Sequence, residues 1–289
     1  MLISGIAQGL MWVLLAIGVY VNFNIIKFPD MTTEGSLTFG AVISVICINS
    51  DVNPVVALLV AAILGMVPGI ITGVMATYLR IQPMLAGILT MIAMYSINLR
   101  IMGDRATISI SQKSLKDYVR IFTGNNQYNA IVIGMAIGLG TIIIMTWFFS
   151  TRLGFTIKAT GSNSQMAISS AINTNKVFII SLALSNALIA VSGGLIAQFD
   201  YGAVIITMGQ GSMVIGLASV MLGLNILFRK KQRFVYKLIA VGGGAIIYRC
   251  IVALALLIPF FKATDLKLLT AILVVSTLYI SKFQNKVKI

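Results

Sequence analysis

The sequence predicts an all-α polytopic membrane protein with about nine transmembrane helices, within a range of eight to ten. Three observations predict it. Hydrophobic residues fill 58% of the 289 positions and charged residues only 10%, where a soluble domain carries about 25% charge. The apolar residues gather into runs of roughly the 20 residues that a helix needs to cross hydrocarbon. The basic residues lie in the gaps between those runs, so the net charge of +14 reads as loop charge beside a membrane, with no nucleic-acid partner. Residues 1–289 then form a single transmembrane domain.

The segments follow in order. Leu2–Ile25 is the first, and the first basic residue is Lys27. No positively charged leader region precedes it, so it is expected to remain in the membrane. Thr32–Ile48 is short, interrupted by glycine, and opens beside Glu34. Pro54–Leu79, Pro83–Met102, Asn129–Ser150 and Val177–Phe199 are full-length runs. Ser212–Leu227 is again short and glycine-rich, Leu238–Phe260 carries Arg249 near its middle, and Leu266–Phe283 is the last. The short second and seventh segments are expected to be broken or re-entrant.

Lys and Arg in the loops give the orientation. One alternate set holds Lys27, Arg80, Arg152, Lys158, Lys176, the run RKKQRFVYK from Arg229 to Lys237, and Lys282, Lys286 and Lys288. The other holds Arg105, Lys113, Lys116, Arg120, Lys262 and Lys267. The first set is the richer, which puts it in the cytoplasm, the N-terminus outside and the C-terminus inside. Loop 103–128 is then extracellular. Within it Leu115, Tyr118, Val119 and Phe122 recur at helical spacing against Lys116, Asp117 and Arg120, which predicts an amphipathic interfacial helix.

Two stretches echo each other. In EGSLTFGA and QGSMVIGL, Gly35-Ser36 aligns with Gly211-Ser212, Gly40 with Gly216, Leu37 with Met213 and Phe39 with Ile215. Each follows a full span and a short polar interruption, and five segments separate them. That is the pattern of an inverted repeat whose broken helices meet near a substrate path. Close helix packing through glycine accounts for the same residues. Polar side chains at these breaks are the candidate pathway lining: Asn22 and Asn24 closing the first span, Glu34 and Ser36 opening the second, and Gln210 and Ser212 opening the seventh. Helix capping is the alternative for each. Tyr95, Asn98 and Arg100 are further candidates.

A buried charge costs about 2.5–3.5 kcal/mol at mid-span, so Arg249 needs a partner or a water-filled cavity. Glu34 and Asp200 are its candidate partners. Histidine is absent, which removes the commonest general base and metal ligand. Cys47 and Cys250 sit in separate apolar segments and read as core residues, so no metal site and no catalytic set is expected. No Gly-x-x-x-x-Gly-Lys-Ser/Thr run is present to cradle ATP phosphates.

Loop 151–177 is unusual for a connector. Asn163 is positioned to cap a short helix over Ser164–Ala171 that carries Met166, Ala167 and Ile168 and no charge. Such a helix, exposed to the cytosol, calls for a protein partner, the alternative being that it packs on its own bundle.

The stretch RLGFTIKATGSNSQMAISSAINTNKV resembles the coupling loop of permease subunits of ATP-binding-cassette (ABC) importers, in the branched-chain amino acid and ribose permease superfamily. TTEGSLTFGAVIS is similar to that family's second segment, SGGLIAQFDYGAVIITMGQGSMVIGLASVMLG to its sixth and seventh, and GGGAIIYR to its eighth. The nearest likeness is to permeases paired with external binding proteins for aromatic amino acids and related solutes. The chain departs from the pattern at Ala171, where glycine is usual before Ile-Asn. It also lacks the Asp before the Gly-x-Gly of the seventh segment and has Leu224-Asn225 where an acidic residue often follows. The resemblance implies a bacterial plasma-membrane permease that imports a small, amino acid-like solute. It implies a cytoplasmic ABC ATPase that binds the ATP, an extracellular solute-binding lipoprotein, a second permease chain as homodimer partner, and surrounding lipid. The permease itself would be no enzyme and hold no cofactor. Coupling to the ATPase would fall on Arg152, Lys158, Gly161, Asn163, Ser164, Met166, Ala167, Ile168, Ala171, Ile172 and Asn173. An ion-coupled secondary transporter and a non-transporting membrane scaffold are the rival readings; only Glu34 is counted as an intramembrane carboxylate, which weighs against the first.

Overall fold

A backbone taken out of water must bond to itself, so apolar runs of this length become helices. The computed structural model describes residues 2–115, 117, 126–227, 233–255, 268, 270–272 and 274–276. The first run forms α1 (Leu2–Met11) and α2 (Val13–Tyr20), the latter continuing as a π-helical turn, Val21–Ile26. The two bend by 43° at Trp12, whose N–H is shared between the carbonyls of Gln8 and Gly9. Then come α3 (Thr32–Asn49), α4 (Pro54–Thr77) and α5 (Pro83–Ile101). A short strand β1 (Thr107–Ser109) precedes α6 (Asn126–Phe148), α7 (Arg152–Ser162) and α8 (Ser164–Ser169). The last part holds α9 (Thr174–Ile196) with its π-helical turn Ala197–Tyr201, β2 (Ala203–Ile205), α10 (Ser212–Leu222) and α11 (Phe234–Ala255).

Among the described residues five helices are long and apolar enough to cross a membrane, or six with the bent first pair taken as one span. The other expected segments are the short α3, the short α10, and Leu266–Phe283, most of which lies outside the described residues, as do Tyr118, Val119 and Phe122 of the amphipathic pattern and Arg229–Lys231 of the basic run. The architecture is therefore an all-α multi-pass membrane protein, and the count of nine is not reached among the described residues. The structure adds one element with no sequence signal: β1 pairs antiparallel with β2, Ile108 opposite Val204.

α9 is the axis of the bundle. It is buried on most of its surface and packs on α2, α3 and α4. Hydrocarbon gives helices no reason to associate through grease alone, so close backbone approach decides the contact. Gly65, Gly69 and Gly73 recur every four residues on one face of α4, where added Cβ atoms would strike Ala190, Leu182 and Ile179 of α9. Gly40 of α3 abuts the Ala190 backbone, and Gly193 of α9 abuts that of Leu37. Two serines fix the register: Ser185 Oγ donates to Gly18 O and Ser192 Oγ to Met11 O, both at 2.8 Å. Ascending numbers on α9 meet descending numbers on the first span, so the two run antiparallel. Such interhelical hydrogen bonds contribute about 0.6 kcal/mol each, so they set alignment more than depth of stability.

Gly40→Ala should push α3 off α9 and cost about 1–3 kcal/mol, the usual range for overpacking, read as a lower unfolding temperature in detergent. Gly140→Ala, with nothing within 4 Å of the new methyl, should be neutral or gain up to about 1 kcal/mol.

Candidate functional site

The first helical break lies between the π turn and α3. Lys27 takes a left-handed backbone with φ of 60°, and the chain turns through Phe28–Asp30 before α3 starts. Asp30 supplies the cap: its Oδ1 accepts from Thr32 N at 2.9 Å, and its carbonyl accepts from Thr33 Oγ1 at 3.0 Å. Its Oδ2 accepts from Asn22 Nδ2 at 2.9 Å and Asn186 Nδ2 at 2.8 Å. Ser36 Oγ donates to Asn186 Oδ1 at 2.6 Å, and hydroxyls of Thr32, Thr72 and Thr90 continue the chain across α4 and α5. All of these residues are buried. Asn22 and Ser36 are thus hydrogen-bonded inside the bundle, and they are joined there by Asp30, a residue absent from the sequence-based candidates. Asp-Met-Thr-Thr ahead of an apolar run was the available signal for a cap.

The second break repeats the first. α9 runs into its own π turn and ends at left-handed Gly202, φ 62°. Gln198, buried there, donates from Nε2 to Ser44 Oγ at 2.9 Å and accepts from Leu115 N at 3.3 Å. β2 follows, and Ile206–Gly211 folds back into the bundle to start α10. Gly209 N donates to Thr38 Oγ1 at 3.1 Å and Gly211 N to Glu34 Oε1 at 2.9 Å. A side chain at Gly209 would collide with the Glu34 carbonyl, and Gly211 sits at φ 82°, so both positions require glycine.

The same separation in sequence relates Val21 to Ala197, Asn22 to Gln198, Glu34 to Gln210, Gly35 to Gly211 and Ser36 to Ser212. The packing is exchanged in the same way. Gly40 of α3 seats on α9, the first helix of the second copy, while Gly216 of α10 seats on Leu15 and Val19 of α2. With α2 and α9 antiparallel, this is the arrangement an inverted repeat requires. Glycine packing and the repeat are one feature, not competing explanations.

Two cavities flank the Ile206–Gly211 turn. One, of about 520 Å³, is bordered by Glu34, Thr38, Tyr95, Asn98 and Gln210. The other, of about 320 Å³, is bordered by Trp12, Tyr201, Gln210, Tyr248 and Arg249. Gln210 touches both. Arg249 does not turn to Glu34, whose carboxylate holds the Gly211 N–H. Its guanidinium lies 3.9 Å from the centre of the Trp12 ring, and Asp200 is the carboxylate that acts on it. Ser212 is buried with its hydroxyl unpartnered. Asn24 borders a third cavity of about 250 Å³ near Lys27, Lys158 and Gly161.

The 151–177 loop is firmly attached to the bundle. Thr151 caps α7, accepting from Gly154 N at 3.4 Å, and Gly161 presses on the backbone of Ile25 and Ile26. Lys158 Nζ donates to Phe149 O at 3.0 Å and lies 3.9 Å from the Phe234 ring centre. Burial lowers its ammonium below the ordinary lysine value, and nearby Lys237 lowers it further. Asn163 caps α8, accepting from Gln165 N and Met166 N at 3.1 Å each. Arg152, Ser164, Met166 and Ile168 are exposed, Met166 at 68% and Ile168 at 59%. Ala167 is buried and Ile172 half-buried, while Asn173 caps α9 through Lys176 N at 3.2 Å. The expected helix Ser164–Ala171 is shorter, ending at Ser169, because Ala171 adopts a left-handed φ of 58° and closes the turn that the Ile172 N to Ala167 O bond completes.

Over residues 1–277 the chain matches the protein family described as branched-chain amino acid transport system, permease component. It is 38% identical to the tyrosine transport system permease protein of Clostridioides difficile (strain R20291), over 96% of this chain and 90% of that one. An uncharacterised protein of Rickettsia prowazekii (strain Madrid E) is 29% identical over 81% of this chain and 80% of its own. The ribose import permease protein of Escherichia coli (strain K12) is 26% identical over 73% of this chain and 65% of its own. No solved structure matches.

A non-glycine residue in the left-handed region costs about 1–2 kcal/mol. Ala171→Gly should therefore raise thermal stability by about 1 kcal/mol, and Ala171→Val should lower it, measured side by side in detergent.

Proposed function

The chain belongs to the family of branched-chain amino acid transport system permease components, and from that premise we propose that it is the membrane-spanning subunit of an ATP-binding-cassette importer. Its solute is small and amino acid-like, delivered by an external binding protein, and the energy comes from a separate cytoplasmic ATPase that binds the ATP. The permease needs no cofactor of its own. The observation that carries this reading is α8: two large apolar side chains, Met166 and Ile168, stand in the open on a helix without charge. Exposed apolar surface of that kind marks a protein contact. Its mounting supports a mechanical role. Gly161 ties the loop to the end of the first span, which carries one break, Lys158 ties it to the end of α6 and to α11, and Asn173 caps α9, which carries the other, so a push on α8 is delivered to the helices that carry the two breaks.

The excess of Lys and Arg on the α7–α8 side supports a cytoplasmic position for that loop and for the C-terminus, with the N-terminus outside. A second copy of the chain completes the pathway. In its support, the Glu34 cavity is bordered by Ile92 and Tyr95 of α5, which are exposed in the single chain. The remaining exposed apolar faces, such as Leu59 and Ile63 of α4 and Ile143 and Ile144 of α6, suit lipid. Within the pathway Glu34 and Gln210 face one cavity from equivalent positions of the two copies, which makes them the polar pair a solute meets first.

Asp30 is the observation on which an ion-coupled carrier would have to rest, since it is a carboxylate buried in the bundle. Its oxygens are taken by Asn22, Asn186 and Thr32, a capping arrangement rather than an open ion site.

Met166→Asp should reduce ATP-driven uptake at least tenfold in vesicles containing the whole importer, with L-tyrosine as the first solute tried, while leaving membrane insertion unchanged. Uptake that survives this substitution but collapses with the proton gradient would favour the carrier instead. Ala167 is the wrong position for this test, because a charge there disturbs the loop's own packing.

A further inference from the structure

The cavity of about 320 Å³ between the first span, the Ile206–Gly211 turn and α11 contains more donor chemistry than the protein uses. Trp12 is 4% exposed, and its indole Nε1 has no hydrogen-bond partner. Arg249 Nε has none either. The guanidinium carbon lies over the Trp12 ring, 3.9 Å from its centre, so ring and cation stand together at the cavity wall. A buried N–H left unpaired costs about 1–3 kcal/mol, and native proteins keep such groups mainly where something else completes them. Both orphans are N–H groups, which donate and cannot accept. Two donors, one of them cationic, ask for a group with two acceptor oxygens and negative charge.

The rest of the lining sets the shape of such a ligand. Thr207 and Gln210 add polar atoms on the turn, while Met208, Ile215 and Val252 supply an apolar wall beside the rings of Tyr201 and Tyr248. Tyr201, Thr207 and Gln210 are exposed, so the cavity is open at the turn and closed at the Trp12 end. Its volume lies within the roughly 300–1,000 Å³ of small-molecule sites.

We propose that this cavity binds a carboxylate carried on a small apolar or aromatic body, with Arg249 and Trp12 as the groups that hold the carboxylate. The site stands on its own geometry; its place as a stop on the solute's route rests on the transport reading above. Gln210, bordering both cavities, is then the polar step between the Glu34 side and the Arg249 side.

The test uses the full chain in lipid nanodiscs without any ATPase, so its outcome is separate from that of the uptake assay. Trp147→Phe leaves Trp12 as the single tryptophan of the two in the chain, and its emission reports the cavity directly. Titration with 3-phenylpropionate should give a saturable change, and 3-phenylpropionamide, which has the same shape without the charge, should bind at least tenfold more weakly. Arg249→Gln should remove that preference by weakening the acid alone. Should Arg249→Gln fail to insert, the acid and amide compared by calorimetry on the unmodified chain decide the matter. No saturable change, or equal binding of acid and amide, would overturn the assignment. Octanoate forms the third arm. Weak binding supports a compact solute, and binding as tight as that of phenylpropionate would identify the occupant as an acyl chain of the membrane and overturn the solute assignment.

Discussion

Hydrocarbon offers no hydrogen bonds, and this one constraint organises the molecule. A chain that leaves helical geometry inside a bilayer must find every donor and acceptor within the protein. It does so here at two places and by one device. A span loosens into a π turn, a left-handed residue ends it, and a side chain receives the backbone of the returning segment. At the first break the receiver is Asp30, backed by Asn22 and Asn186. At the second, Thr38 and Glu34 receive Gly209 and Gly211. The breaks are therefore built into the packing, and α9 runs through the middle of both.

The consequence for function is spatial. The two short helices α3 and α10 begin at neighbouring points and draw away in opposite senses, and the cavities open on either side of that meeting place. Glu34 serves two ends: it satisfies Gly211 and it borders the larger cavity. The loop that carries α8 reaches the same region through rigid contacts with Ile25, Ile26, Phe149 and Phe234. The loop thus packs directly on the first break.

How much of this was legible in the sequence varies with length scale. The spans were legible because each apolar run is long enough for its composition to outweigh local noise. The Gly-Ser echo at Gly35 and Gly211 marked both breaks, Gly211 through its left-handed backbone and Gly35 through its close contact with Met91 and Met94. Within loop 151–177 the stretch Ser164–Ala171 stood out by lacking charge where charge would be free. Asp30 was missed because a carboxylate three residues from Lys27 looks like an ordinary loop end. Asn22 and Ser36 hydrogen-bond inside the bundle, and in sequence a polar residue in a membrane helix looks the same whether it lines a channel or ties two helices. β1 and β2 are three residues each, too short for a period to declare itself. The inward turn of Ala167 was hidden for the same reason, since α8 has only six residues. Arg249 called for a partner, and the ring of Trp12 was not considered, because a cation on an aromatic face leaves no mark in sequence spacing.

The central claim is that the two breaks are inverted copies, one facing each side of the membrane. It is tested most directly by labelling. In a chain with Cys47 and Cys250 replaced by serine, single cysteines at Lys27 and at Tyr201, both exposed and both at the ends of the π turns, are offered a membrane-impermeant maleimide from either side. The account predicts that each is labelled from one side only and that the sides are opposite. Labelling of both from the same side would contradict it.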